Sequence, residues 1–394
     1  MRSLEAQLAA GLAAQEAAHR HRRRRVVEAR AAGSQRVRVD GRECLAFCSN
    51  DYLGLSDHPR VTEAFIAAAR SWGVGSGTSH LVSGHCLEHH ALEEEVAAFL
   101  QRPRALLFST GYMANLAVAQ TLVAKGDRVF EDRLNHASLL DAGLASGARF
   151  TRFPHADTVT LRTRLARPTG GRTLVVTDGV FSMDGDTAPL RDLAAACRDH
   201  DAWLFVDDAH GFGVLGEHGR GSCEAEGLGP DDVPILMCTL GKAAGTFGAV
   251  VAGSHALVEM LIQRARTYMY TTALPPAVAA ATRAAIQLIR EEDWRRRQVL
   301  EHVARFRDEA VRLGIRLLPS PTPIQPIVLG SESAAVLVSD ALLAAGLWVP
   351  AIRPPTVPAG SSRLRITFSA THTREDVDRL LEALAQLARE GRLA

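Results

Sequence analysis

Lysine is almost missing from this chain: of 394 residues only Lys125 and Lys242 are lysines, and every other strong base is arginine. Arginine does not surrender its proton near neutral pH, so any chemistry that needs a primary amine has two places to occur. Charge of one sign is missing too. The 45 basic and 44 acidic residues leave a formal charge of +1, which excludes a global field that would draw the chain onto nucleic acid or an anionic membrane. No apolar run approaches the roughly 20 residues that cross a bilayer. The six cysteines (Cys44, Cys48, Cys86, Cys197, Cys223 and Cys238) form no C-x-x-C pair and no His/Cys cluster at zinc-ligand spacing, and no secretory signal precedes them. The expectation is reduced thiols, no metal, a cytoplasmic protein and small-molecule partners.

What is present is enough apolar residue, 47%, to bury substantial cores, in a chain two to three times the usual domain length. Leu4, Leu8 and Leu12 at helical spacing are followed by Arg22 to Arg25 and by an extended stretch, residues 36–40. Glu5, Glu16 and Glu28 argue against reading this basic start as a mitochondrial transit peptide. From about residue 50 to 280, strand-like runs beginning at Arg104, Asp127, Thr173, Trp203, Ile235 and Gly248 alternate with helical segments. That alternation predicts an α/β fold, a mostly parallel sheet flanked by helices. Ligands of such sheets bind beyond the carboxyl ends of the strands, so Ser109, Asp178, Asp207 and Thr239 are expected around one cleft. After Pro275-Pro276 comes a long Arg- and Glu-rich helical stretch, a Pro-rich break and further strands. The expected division is an N-terminal helix and arm (1–48), a large domain (49–282) and a smaller α+β C-terminal domain (283–394).

Lys242 lies just after a predicted buried strand, in Thr239-Leu-Gly-Lys242-Ala-Ala-Gly245, where glycines permit close approach of a ligand to the backbone. Lys125, before Gly126-Asp127, reads as part of an exposed turn. Asp207-Asp208-Ala-His210 ends another apolar strand and offers a carboxylate and an imidazole to the same cleft. Pyridoxal 5'-phosphate (PLP) needs an amine, a carboxylate for its pyridine nitrogen and a donor for its phenolic oxygen. Ser109-Thr-Gly111-Tyr112-Met-Ala-Asn115 reads as a strand, a turn and a helix N-terminus suited to a phosphate. His136, in Asn135-His-Ala-Ser138, has the flat ring that stacks on an aromatic cofactor. Against these stand blander readings: a helix cap for Asp207, a capped turn for Gly111 and a structural role for either histidine.

Asn50-Asp-Tyr-Leu-Gly-Leu, Leu81-Val-Ser-Gly84, Ala91-Leu-Glu-Glu, Asp132-Arg-Leu-Asn-His-Ala-Ser-Leu139, Gly179-Val-Phe-Ser-Met-Asp-Gly185, Val206-Asp-Asp-Ala-His-Gly211 and Gly219-Arg-Gly221 together resemble the α-oxoamine synthases. These are PLP-dependent transferases of fold type I, and the resemblance covers nearly the whole chain. Ala351-Ile-Arg-Pro-Pro-Thr-Val-Pro-Ala-Gly360 is similar to the member that joins L-alanine to a pimeloyl thioester in biotin biosynthesis. The resemblance implies that Lys242 anchors PLP as a Schiff base and moves the α-proton. It implies that His136 stacks on the ring, that Asp207 meets the pyridine nitrogen, and that Ser182 and His210 hold the cofactor's oxygen. Gly111, Tyr112 and Thr239 would lie on the phosphate side, joined by Thr271 or Thr272 from the other subunit of a homodimer. Asn50, Arg353 and Thr356 would handle the substrate, together with one of the four arginines from Arg22 to Arg25, Arg22 by spacing. The acyl group would arrive on coenzyme A or on acyl carrier protein. A sibling enzyme that condenses glycine or serine with another acyl thioester, and a catalytically silent binding relative, are the competing readings.

Overall fold

The computed structural model describes residues 3–393. The chain divides into two compact units. One holds Leu53–Ser182 and Asp186–Arg296; the other holds the N-terminal residues through Tyr52, Met183–Gly185 and the residues from Arg297 onward. The N-terminal arm is thus part of the same unit as the C-terminal segment, and the helix after Pro275 belongs to the larger unit.

The larger unit is built on a seven-stranded sheet: β1 (Arg104–Phe108), β2 (Arg128–Asp132), β3 (Arg149–Phe153), β4 (Thr173–Asp178), β5 (Trp203–Asp207), β6 (Ile235–Thr239) and β7 (Ala249–Gly253). Their spatial order is β1-β7-β6-β5-β4-β2-β3, and only β7 runs antiparallel to its neighbours. The carboxyl ends of the six other strands therefore share one edge. β4 and β7 are buried along their whole length, as strands covered on both faces must be. Leu106, Phe108, Val118, Val129, Leu174, Val176, Phe205, Met237 and Val251 make the core between sheet and helices.

In the smaller unit, Ile324–Gly330, Ser362–Thr367 and Ala351–Ile352 form a three-stranded antiparallel sheet. Arg36–Val39 pairs with Arg42–Ala46, and Leu347–Trp348 joins the latter in parallel, so chain ends distant in sequence close one sheet. Phe47, Phe306 and Phe368 are fully buried in its core. Removing one such ring costs about 3–5 kcal/mol. The predicted N-terminal helix is Leu4–Ala17, capped by Ser3, but it buries no residue, and Leu4, Leu8 and Leu12 stay exposed. The long helical stretch after Pro275 is two helices, Pro276–Glu291 and Trp294–Arg312. All six cysteines are free thiols. Among the described residues no helix is long and apolar enough to cross a membrane.

Candidate active site

The loop between β6 and β7 presents Lys242. Leu240 accepts from Thr246 at 3.0 Å and donates to Gly248 at 2.8 Å, while the Gly245 amide closes a turn on the Lys242 carbonyl at 2.8 Å. Gly245 has φ +69°, and a Cβ there would collide with the Ser56 amide, so this turn tolerates only glycine. The Lys242 side chain is half-buried, with Nζ 2.8 Å from His210 Nε2. His210 itself is buried two residues past Asp208, beyond the end of β5. Lys125 is exposed in the turn that Ala124 and Asp127 close, as its sequence context predicts.

Asp207 ends β5 beside Asp178, the end of β4, in direct register. Both carboxylates are buried. Asp207 Oδ2 accepts from Asn115 Nδ2 at 2.8 Å, and Oδ1 accepts from the Ala209 amide at 3.0 Å. Asp178 Oδ2 accepts from the His136 amide at 2.7 Å. Burial, reinforced by the neighbouring Asp207 charge, pushes the Asp178 carboxyl well above its usual range. Two adjacent buried carboxylates are costly unless a cation or proton is shared with them.

His136 caps helix Ala137–Ala145, and its Nδ1 lies 2.7 Å from Ser138 Oγ. Ser138 in turn accepts from Asn115 Nδ2 at 2.8 Å, so one buried asparagine ties the histidine's partner to Asp207. The His136 imidazole is pushed below its ordinary pKa, first by desolvation and further by the Lys242 charge, with Asp207 opposing. A neutral flat ring results, suited to stacking. Helix Gly111–Leu122 opens with Thr110, whose Oγ1 accepts from the Met113 amide at 3.2 Å and whose carbonyl accepts from Ala114 at 3.1 Å. The Gly111 and Tyr112 amides precede any intrahelical partner and remain for an anion. The Tyr112 hydroxyl donates to Asp141. Thr239 Oγ1 donates to the Gly248 carbonyl at 3.1 Å, at the foot of the lysine loop. Ser182 is half-buried beyond β4, while Thr271 is half-buried and Thr272 exposed before Pro276–Glu291.

Asp208 faces away from this cluster into a glycine-lined box. It accepts from the Ser222 amide at 2.7 Å and from Ser222 Oγ at 2.6 Å. A Cβ at Gly179, Gly211 or Gly221 would press into its carboxylate. Burial pushes its pKa up to about 7.

The expected substrate residues lie in the smaller unit and are linked there. Arg22 donates to Thr356 Oγ1 at 3.1 Å, and Arg353 donates to the His19 and His21 carbonyls, at 3.3 Å for the latter. Burial and then the Arg22 charge lower the Arg353 pKa. Arg25 is spent on Asp40 at 3.0 Å and Asp340 at 3.7 Å. Within the arginine run, Arg22 bonds Thr356, and its charge bears on Arg353. Asn50 Oδ1 accepts from Tyr52 at 3.2 Å and from both terminal nitrogens of the buried Arg365, at 3.2 and 3.3 Å.

The groups around Lys242 fit PLP: a half-buried amine beside an imidazole, a pair of buried carboxylates within reach of the Lys242 charge, a neutral flat ring and the first amides of a helix. Asn115 and Ser138 complete that set and were given no role by sequence, while Asp178 stands beside Asp207 at the strand ends as expected. A buried asparagine one turn into the helix after Gly111 was the available signal.

Over residues 42–384 the chain matches the aminotransferase class I and II family. It is 59% identical over 388 residues to an 8-amino-7-oxononanoate synthase of Saccharophagus degradans, covering 98% of each chain. It is 60% identical to a protein of the same name from Methylococcus capsulatus, covering 96% of this chain and 97% of that one. Among solved structures, a serine palmitoyltransferase of S. paucimobilis with bound PLP superposes with a TM-score of 0.93 at 30% identity, covering 99% of each.

Proposed function

As the chain belongs to the class I and II aminotransferases and, within them, to the 8-amino-7-oxononanoate synthases, we propose that it condenses L-alanine with a pimeloyl thioester. The products are 8-amino-7-oxononanoate, CO2 and the free thiol carrier, a step of biotin biosynthesis. The cofactor of this family is PLP, which when bound supplies an electron sink for negative charge at the α-carbon of the amino acid.

The observation that carries the reading is the 2.8 Å approach of Lys242 Nζ to His210 Nε2 at the edge where the carboxyl ends of β4, β5 and β6 meet. Lys242 would anchor the cofactor, then take the proton from the alanine α-carbon and return one after CO2 leaves. A general base of this kind contributes on the order of 10^2–10^4-fold. Asp207, held by Asn115 and the Ala209 amide, would keep the cofactor's ring nitrogen protonated, and His136 would cover the ring face. His210 and Ser182 would bind its phenolic oxygen. Gly111, Tyr112 and Thr239 would bind the phosphate, joined by Thr271 or Thr272 of a second subunit in a homodimer. Arg22, Arg353 and Thr356 form a cationic cluster suited to the free carboxylate of the pimeloyl chain, and Asn50 would orient the amino acid. The thioester would be carried by coenzyme A or by acyl carrier protein.

The test is the mass of the product formed by purified enzyme from L-alanine and pimeloyl-CoA or pimeloyl carrier protein, run beside glycine with acetyl-CoA and L-serine with palmitoyl-CoA. Alanine with the pimeloyl thioester should dominate. Faster turnover of either other pair would replace the substrate assignment while leaving the roles of Lys242 and Asp207 intact.

A further inference from the structure

The larger unit holds a second cluster of titratable side chains that the condensation does not use. The turn His80–Gly84 and the start of helix Leu87–Phe99 bring together His80, His85, His89 and His90, with Glu93 one turn further along the helix. Nδ1 of His80 and Nδ1 of His85 are 3.1 Å apart, so one ring donates to the other. The His85 and His90 rings meet edge to face, 5.9 Å between centroids. His90 and Glu93 are three residues apart on the helix and so share a face. One ligand atom each from His85, His90 and Glu93 lie within 4.8 Å of one another.

His89 is a different case. Its Nε2 donates to the Leu274 carbonyl at 2.5 Å and its Nδ1 accepts from the Cys86 amide at 3.1 Å, which makes it a satisfied core residue. The others are loosely engaged. His90 lies 3.4 Å from the exposed Glu94, and Glu93 Oε1 accepts only the Leu107 amide, at 2.9 Å. All of them line a pocket of about 420 Å³ with Arg104 and Tyr268, and Arg104 is turned outward to Glu259 at 2.9 Å.

We propose that His85, His90 and Glu93 form a binding site for a divalent transition-metal ion of the zinc or nickel class, with His80 accepting from His85 and fixing its tautomer. Two imidazoles and one carboxylate are a donor set such ions take with an open coordination position. Tetrahedral coordination at ~2.0–2.2 Å places donors roughly 3.4 Å apart. The exposed His90 side chain can swing that far without disturbing the core. An acceptor behind a ligating histidine is the usual supporting arrangement, and His80 supplies it.

Equilibrium dialysis of metal-stripped, PLP-loaded enzyme against Zn²⁺ alone, with bound metal counted by mass spectrometry, tests the site. Wild type and the control variant His200→Ala should each take up one ion per chain. His90→Ala and Glu93→Gln should bind at least about tenfold more weakly. His90→Ala should keep its condensation activity, which separates this site from the catalytic reading. Absence of uptake by wild type at micromolar Zn²⁺ would overturn the proposal. So would unchanged uptake by His90→Ala, which would assign the ion to thiols such as Cys86.

Discussion

The cluster around Lys242 and the histidine pocket at His85 are made from similar side chains in opposite ways. Around Lys242 the groups come from the ends of strands and helices spread between Gly111 and Gly248, and nearly every polar atom is already held by another. Around His85 they come from one stretch, residues 80–93, and several donors are only loosely held. A sheet edge fixes positions to a fraction of an ångström because each side chain inherits the rigidity of a buried strand. A single turn and helix give proximity with freedom to adjust. The first suits a reaction that needs aligned groups before substrate arrives; the second suits an ion that draws its ligands inward.

Substitutions test that contrast. The largest effect is expected from Lys242→Ala, which should lower product formation on the order of 10^4-fold or more and abolish the visible absorbance of bound cofactor. Retention of both would end the assignment. Asp207→Ala should reduce kcat by about 10^2–10^4-fold with the cofactor still bound at high concentration. Asn115→Ala touches neither cofactor nor substrate in this reading, yet it releases both Asp207 and Ser138. It should cost about 1–3 kcal/mol in denaturant unfolding and lower kcat more than it raises KM. Loss of stability with unchanged kcat would make Asn115 purely structural. His90→Ala should leave turnover within about twofold, since exposed positions remote from a site rarely change more.

The smallest effect concerns pH. Burial raises Glu131 to about 8, outweighing the opposing influence of Asn135 and Arg152. The folded chain therefore holds a proton that the unfolded chain releases near pH 4.3. Stability from this group is full at low pH and falls as pH rises between those values. Asp208 and Glu93, both at about 7, act in the same direction. Glu131→Gln should flatten the decline of Tm between pH 6 and 9, and an unchanged slope would show that another group titrates there.

Much of this was legible in the sequence. Strands such as β4 and β7 are continuous apolar runs because both their faces are covered, and polar residues at their ends announce a cleft. Two lysines in the chain reduced the search for an amine to Lys242, because Lys125 stands in a turn. Supporting bonds were not legible. That Asn115 serves both Asp207 and Ser138 depends on neighbours 92 and 23 residues away. That Arg22 meets Thr356, while Arg25 pairs with Asp40 and Asp340, depends on neighbours that spacing alone does not reveal. The histidines from His80 to His90 were in plain view. Lacking cysteine pairs, they offered no zinc signature until a turn and a helix folded them over one pocket.

The glycine box around Asp208 bears on which sequences this fold can explore. Gly179 follows β4, while Gly211 and Gly221 lie in the long loop after β5, yet all three abut one carboxylate. A methyl group added at any of them must displace Asp208, and with it Ser222 and the loop that carries His210. None of the four positions can drift by itself. A shorter side chain at 208 would have to appear first, and that intermediate would leave the Ser222 amide and hydroxyl buried without an acceptor. Mutational change at this corner is therefore blocked in every order, so a library randomised over these positions should return the parental residues even where neighbouring surface positions vary freely.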